Sequence, residues 1–315
     1  MKNHRLICAL LFFALSGVAV AEDIVQKAVL VTGASSGSGR VIAETLAAKG
    51  YYVYAGARKQ ADLDELNEIE NIQAIRLDVT IQSEIDAAVE VVRQEGRGLY
   101  GLVNNAGVAV LGPLVEIPES DVEFLFDVNV YGPYRVTKAF APLIIESRGR
   151  ITTTGSISGI LSGPFYGPYS MSKHAMEAFT DSLAAEMTKF GVKVSIIEPG
   201  GFKSKIGKTS YDRMKAKGFS LDDSLYKEEW EETWFLQEKG NIDLQNNVPE
   251  QIANAVIDTL DSNNPKARYM TVGTRGAAED TVQTAMEEMV QLNEDHEHSL
   301  SREELIGMLD ELLDR

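Results

Sequence analysis

The stretch AVLVTGASSGSGRVIAETLAAKG, residues 28–50, decides the fold. Ala28–Thr32 is a short apolar run of strand type, the next residues form a turn rich in glycine and serine, and a helix follows through about Lys49 until Gly50 ends it. In such a turn the glycines allow a tight bend and a close backbone approach, while the helix N-terminus offers free N–H groups and partial positive charge. Gly33, Ser35, Ser36, Gly37, Ser38 and Gly39 therefore form a candidate pyrophosphate cradle.

Outward from that turn, strand-like and helix-like segments alternate. Tyr51–Ala55, Ile72–Asp78, Gly101–Asn104, Arg150–Thr154, Val192–Glu198 and Arg268–Val272 read as strands. A helix capped by Thr80 carries Ile85, Ala88, Val89 and Val92 at helical spacing. Others start near Asp121 and Tyr169, and another covers Val248–Leu260. The alternation predicts an α/β fold, a doubly wound parallel sheet of Rossmann type in a single domain. There is no internal repeat and no linker that would divide it.

The chain has 315 residues and a formal net charge of −17, which argues against a nucleic-acid partner. That charge is uneven: residues 277–315 hold twelve acids against two arginines, a net of about −10. This tail reads as helical, with Ser301 and Glu304 set as a capping box before Leu305, Leu309 and Leu312. Its apolar positions leave open whether it packs on the domain or on another subunit. His296 and His298 lie in a hydrophilic acidic stretch and are read as solvated, so no metal site is expected. At the other end Lys2, His4 and Arg5 precede an apolar run, Leu6–Val20, and the small-x-small site Ala19-Val20-Ala21. Residues 1–21 read as a secretory signal peptide, the alternatives being an uncleaved membrane anchor or a mis-assigned start. The only cysteine, Cys8, falls inside this segment. The domain then spans 22–276.

The turn is spaced Gly-x-x-x-Gly-x-Gly, and here the sequence resembles the short-chain dehydrogenase/reductase family. Asn104-Asn105-Ala106-Gly107 follows the fourth strand, Asp78-Val79 closes the third, and Ser156, Tyr169 and Lys173 stand in the family's order and spacing. The resemblance runs from about Lys27 to Phe202, with a weaker echo to Val272. It implies Asp78 and Val79 beside the adenine, Asn105 among the cofactor contacts, and the turn ending in Phe202 against the nicotinamide amide. Ser204 stands where the family has a threonine, and Ser38 where an aliphatic residue is usual.

Tyr169 and Lys173 are four apart and share a helix face. A phenol has an ordinary pKa near 10, so an ammonium beside it is expected to lower that value and make it a proton acceptor and donor. Ser156, at the end of a predicted strand, would polarise a substrate carbonyl. By resemblance Asn129 completes a proton relay through water, and Lys173 also holds the nicotinamide ribose.

At the end of the second strand no acid is present to bond an adenosine ribose. Arg58 and Lys59 stand there instead, a better match to the extra phosphate of NADP than to NAD, although NAD is also allowed. Ser36 resembles the family's hydroxyl on the same phosphate. Residues 203–245 occupy the substrate-lid position and carry Tyr211, Met214, Phe219, Tyr226, Trp230, Trp234 and Phe235. They suggest an apolar cover over a bulky steroid, retinoid or lipid-like carbonyl or alcohol, unless they merely pack the lid on the domain. The expectation is an NADP(H)-dependent oxidoreductase, exported or membrane-anchored and homo-oligomeric. The rival reading is a cofactor-binding sensor or scaffold without turnover. Export sits awkwardly with NADP(H), which is a cytoplasmic cofactor.

Overall fold

The computed structural model describes residues 26–202, 206–239 and 249–314, the side chains of 234–239 excepted. The expected leader 1–21 with Cys8, Ser204, and the side chains of Trp234 and Phe235 lie outside the described residues. Seven strands form one sheet: β1 (Ala28–Val31), β2 (Tyr52–Ala57), β3 (Ile72–Arg76), β4 (Gly101–Asn104), β5 (Arg150–Thr154), β6 (Lys193–Pro199) and β7 (Arg268–Thr271). Their order is β3-β2-β1-β4-β5-β6-β7 and every pairing is parallel. This is the doubly wound sheet that the alternation predicts.

Helices cover both faces: α1 (Gly37–Ala48), α2 (Gln60–Asn67), α3 (Gln82–Glu95), α4 (Glu119–Phe126), α5 (Gly132–Glu146), α6 (Gly167–Met187), α7 (Ile206–Ala216), α8 (Lys227–Lys239), α9 (Pro249–Asp261), α10 (Arg275–Leu292) and α11 (Arg302–Leu313). Successive side chains of a strand point to opposite faces. Val29 and Val31 of β1 accordingly enter one core layer with Ile42 and Leu46 of α1 and Val256 of α9. Leu30 enters the other, with Val89 of α3 and Phe140 of α5. Burial on both faces is why these strands read as unbroken apolar runs.

The structure departs from the sequence reading in three places. Thr80 does not cap α3, whose N-cap is Ile81 with no side-chain bond. Its N–H and hydroxyl go to the Asp78 carboxylate instead (3.0 and 2.8 Å), while Glu84 accepts the Asp78 N–H at 2.7 Å. The helix expected from Asp121 is α4 and α5 joined by a π-helical turn, Asp127–Tyr131. The third departure is α2, QADLDELN, which buries only Leu63 and Leu66 and so shows no apolar stripe in the sequence. In the tail, Ser301 and Glu304 form the expected capping box at the head of α11.

Candidate active site

In open parallel sheets ligands sit at the C-terminal ends of the strands, where the strand order reverses. Here β1 pairs with β2 on one side and β4 on the other, so the crevice opens above β1 and β4. The turn after β1 is clamped to the end of β4. The Thr32 hydroxyl accepts the N–H groups of Asn105 and Ala106, both at 3.0 Å. Asn105 donates through Nδ2 to the Thr32 carbonyl (3.1 Å), and its Oδ1 accepts from Ser38 (2.9 Å) and Thr154 (3.4 Å).

Two glycines are needed for this clamp. A Cβ on Gly33, at φ +67°, would lie 2.8 Å from the Ala106 Cα. A Cβ on Gly39 would lie 2.2 Å from the Gly33 carbonyl oxygen and 2.5 Å from Asn105 Nδ2. Ser36 caps α1 in extended conformation without lending its side chain, and the first turn holds no acid. Backbone N–H groups therefore point into the crevice with nothing anionic of the protein's own beside them, which fits the pyrophosphate of a nicotinamide dinucleotide.

Arg58 and Asp78 stand at the adenine end. Arg58 is exposed, its guanidinium 3.6 Å from the Asp78 carboxylate. Burial works to raise the Asp78 pKa, but the Thr80 bonds and the Arg58 charge prevail and hold it below the ordinary carboxyl range. Val79 is buried beneath, against Gly132. Phe202 packs partly buried on the α1–α9 layer.

Tyr169 lies in the first turn of α6, which opens with Gly167-Pro168, and Lys173 lies one turn on. Ser156 caps the short turn Ile157–Gly159 after β5, accepting the Ser158 N–H at 3.1 Å and donating to the Pro199 carbonyl at 3.3 Å. Its hydroxyl lies close enough to Tyr169 to pull the phenol pKa down. Lys173 is buried and donates to the Thr154 carbonyl at 2.9 Å, with its Nζ 5.6 Å from the Tyr169 ring centre. Asn129 stands in the π turn, its amide spanning the Val108 backbone (2.8 and 2.9 Å) and reaching the Ser172 hydroxyl at 3.1 Å. Ser172 in turn donates to the Tyr169 carbonyl at 2.7 Å. The four residues predicted as one constellation are thus brought together by three separate elements.

The expected electrostatics are corrected. Burial pushes the Tyr169 phenol up to about 12, Tyr166 adds to this, and the neighbouring Ser156 hydroxyl opposes it without prevailing. Lys173 does not lower it, because the same burial brings the ammonium itself down to about 8 against the pull of Glu177. Tyr169 is therefore a neutral hydroxyl donor at physiological pH.

Sequence reasoning missed what lies behind Lys173. Glu177, one turn further along α6, faces Glu198 of β6, and Arg268 of β7 reaches Glu177 (3.2 Å), Asp181 (2.7 Å) and Glu198 (3.4 Å). Burial first, then the neighbouring Glu198, raise Glu177 to about 7 against the pull of Arg268. Burial likewise raises Glu198. The i+4 spacing of Lys173 and Glu177 was the available signal. Thr32, Thr154 and Ser172 gave none, since short hydroxyl residues are common at strand ends and in helices.

Above Tyr169 stands a small apolar cluster of Ala109, Leu111 and Trp230, with Phe165, Phe219 and Leu221 against it. Trp230 is fully buried, its ring 4.8 Å from that of Phe165. Arg213 of α7 donates to the Ala109 carbonyl at 2.9 Å, and Glu116 accepts from Ser224 and from the Leu225 N–H, both at 2.7 Å. These contacts tie the segment after β6 down over the loop after β4.

The short chain dehydrogenase family profile matches residues 27–215. Over 260 residues the chain is 33% identical to the mitochondrial D-beta-hydroxybutyrate dehydrogenase of Rattus norvegicus, covering 77% of this chain and 76% of the relative. It is also 33% identical to retinol dehydrogenase 7 of Rattus norvegicus, over 79% of this chain and 82% of that one. A crystal structure of a short-chain dehydrogenase from Streptomyces avermitilis superposes with a TM-score of 0.73 at 31% identity, covering 85% of this chain and 95% of the other.

Proposed function

The chain belongs to the short-chain dehydrogenase family, oxidoreductases acting on CH–OH groups with a nicotinamide cofactor, and from that premise we propose that it interconverts a bulky, apolar carbonyl and its alcohol with NADP(H), Tyr169 moving the proton. The observation that carries this reading is the convergence of Ser156, Tyr169 and Lys173 at the crevice, with Lys173 anchored on the Thr154 carbonyl beneath the Tyr169 ring.

When bound, the dinucleotide supplies or takes up the hydride. The chain's own residues do the rest. Ser156 holds the substrate oxygen and stabilises the alkoxide as it develops. Tyr169, protonated at neutral pH, donates its hydroxyl proton to that oxygen. Lys173 and the turn of Gly33, Ser35, Ser36, Gly37, Ser38 and Gly39 hold the ribose and phosphates. Asn129 fixes Tyr169 through Ser172 and the loop at Val108. Asn105 acts as a strut under the phosphate turn. The end of β2 carries Arg58 and no acid of its own, and Arg58 would turn from Asp78 to an adenosine 2′-phosphate, which favours NADP(H) over NAD. Residues 203–245 form the lid. The wall of Leu111, Phe165 and Trp230 suits a steroid, retinoid or lipid-like substrate, excluding water from it. Residues 1–21 direct the protein to export or hold it at a membrane, and the enzyme is a homo-oligomer.

NADPH consumption over a panel of ketones and aldehydes tests this, with retinal and steroid ketones at one extreme and acetoacetate at the other. Tyr169→Phe is expected to reduce turnover by roughly 10²–10⁴ while NADPH still binds. Turnover that survives the substitution would overturn the role of Tyr169. Tight NADPH binding with no turnover on any carbonyl would favour the sensor reading. A clear preference for acetoacetate would refute the apolar substrate class.

A further inference from the structure

In a parallel sheet every loop that leads into a strand lies at the same end, opposite the crevice. This end carries a cluster of cations. Lys27, Lys49 and Arg97 stand just before β1, β2 and β4, and Arg148, Arg150, Lys189, Lys193 and Lys266 gather under β5, β6 and β7. Arg150 and Lys193 are direct register partners across β5 and β6. The acids at this end are Glu68 and Glu70 at the far β3 edge, and Asp64, Glu65, Glu95, Glu146, Glu186, Asp258 and Asp261 in the last turns of their helices. Beside the β4–β6 entrances, where Arg97, Arg148, Arg150, Lys189 and Lys193 gather, only Glu95, Glu146 and Glu186 stand. Asp261 is occupied by the Tyr51 hydroxyl.

Among the described residues, none of these eight cations lies within 4.0 Å of a carboxylate. Elsewhere cations do find acids, as in Arg76–Glu84, Arg135–Asp127 and Lys217–Asp121. Five of the basic groups, those of Lys27, Arg97, Arg150, Lys189 and Lys266, rest instead on rings and carbonyls. Lys27 lies 4.0 Å from the centre of Tyr100, Arg97 4.0 Å from Tyr52 and Lys189 4.8 Å from Phe190. Arg150 donates to the carbonyls of Arg148, Gly149 and Ser262. All but Arg150 are exposed, and Phe190 stands among them 39% exposed. A chain of net charge −17 thus has, at the entrances of β4, β5 and β6, a cluster of cations that no carboxylate among the described residues contacts.

The same end is where the chain enters the sheet. Gln26 is held there by bonds from its amide to the Gly50 carbonyl (3.0 Å) and the Asn71 side chain (2.9 Å). In the sequence the apolar run Leu6–Val20, preceded by Lys2 and Arg5, ends only six residues before Gln26, a reach of at most about 20 Å. The acidic segment 277–315, by contrast, leaves from the crevice end of β7. Surface charges act over about 8 Å at physiological salt, so the local face rather than the net charge decides what docks there.

We propose that the strand-entrance face, centred on Arg97, Arg148, Lys189 and Lys193, docks on an anionic lipid surface and leaves the crevice facing away from it. Polybasic groups beside an apolar segment are attracted to anionic headgroups in this way. The proposal does not depend on the substrate or cofactor assigned above.

The test is co-sedimentation of the full chain with phosphatidylcholine vesicles and with phosphatidylcholine–phosphatidylglycerol vesicles, at low and high salt. Partitioning to the anionic vesicles is expected to exceed that to the neutral ones by about tenfold or more at low salt, and to converge with it at high salt. The triple variant Arg97→Glu, Lys189→Glu, Lys193→Glu should lose the preference. The milder Lys189→Gln, Lys193→Gln variant should lose part of it, and circular dichroism with the thermal melt reports that both are folded. Equal partitioning to both kinds of vesicle would overturn the proposal, as would a preference that survives the triple variant. Capture of a nucleic acid without any preference for anionic vesicles would also overturn it.

Discussion

The two ends of the sheet are built on opposite plans. At the crevice end polar side chains are bonded to one another. Asn105 serves Thr32, Ser38 and Thr154; Lys173 is held by Thr154; Asn129 reaches Tyr169 through Ser172. At the strand-entrance end eight cations have no carboxylate partner among the described residues. A saturated network fixes side chains within the tolerance that proton transfer needs, whereas unpaired surface charges remain available to an outside partner. Chemistry and docking can thus be separated by the length of a strand.

Substitutions that break one end without touching the other sharpen this contrast. The largest effect is expected from Gly39→Ala, whose Cβ meets the Gly33 carbonyl and the Asn105 amide together. Relief requires the phosphate turn to move, at roughly 2–3 kcal/mol. Calorimetry should show a fall in Tm of about 5–10 °C, and titration should show weakened NADPH binding. An unchanged Tm would mean that the turn yields to a Cβ without loss of packing. Next comes Arg58→Ala. Removing a charge-assisted phosphate contact of about 1.5–3 kcal/mol should raise the KM for NADPH by roughly 10–100-fold and leave that for NADH nearly unchanged. An equal rise for both cofactors would assign Arg58 to Asp78 alone.

The pH dependence is a smaller effect. Lys173, brought down to about 8 by burial, loses its charge as pH rises through that value, so carbonyl reduction should decline above about pH 8. Tyr169, pushed up to about 12, stays protonated throughout this range and does not set the limb. Glu177 props the Lys173 value up, so Glu177→Gln should shift the limb to lower pH. The raised carboxyl also bears on stability. Its protonated form is the one the fold favours, so that contribution is present below the ordinary carboxyl range and is lost as pH rises through about 7. Glu177→Gln should flatten this part of the Tm–pH curve. The smallest effect belongs to the other end, where the charge reversals described above should leave turnover in solution unchanged.

Much of this was legible in order and spacing. The strand–turn–helix at 28–50 and the alternation after it foretold the parallel sheet, because buried parallel strands must be apolar on both faces. Tyr169 and Lys173 were recognisable at one helical turn, and Ser156 at a strand end. The lid was less legible, because α7 and α8 are polar helices whose few buried residues, such as Met214 and Trp230, make no periodic stripe. The Thr80 cap failed because a hydroxyl beside an aspartate has a closer acceptor than the helix it precedes.

The sequence by itself determined the backbone path and which residues meet at the crevice, since these follow from local periodicity and from glycines that only one turn can use. Tertiary structure alone decided the protonation of Tyr169 and Lys173, because desolvation depends on everything packed around a group and leaves no mark in spacing. It also decided that eight cations scattered from Lys27 to Lys266 share one face. They are neighbours only because every parallel strand begins at the same end of the sheet.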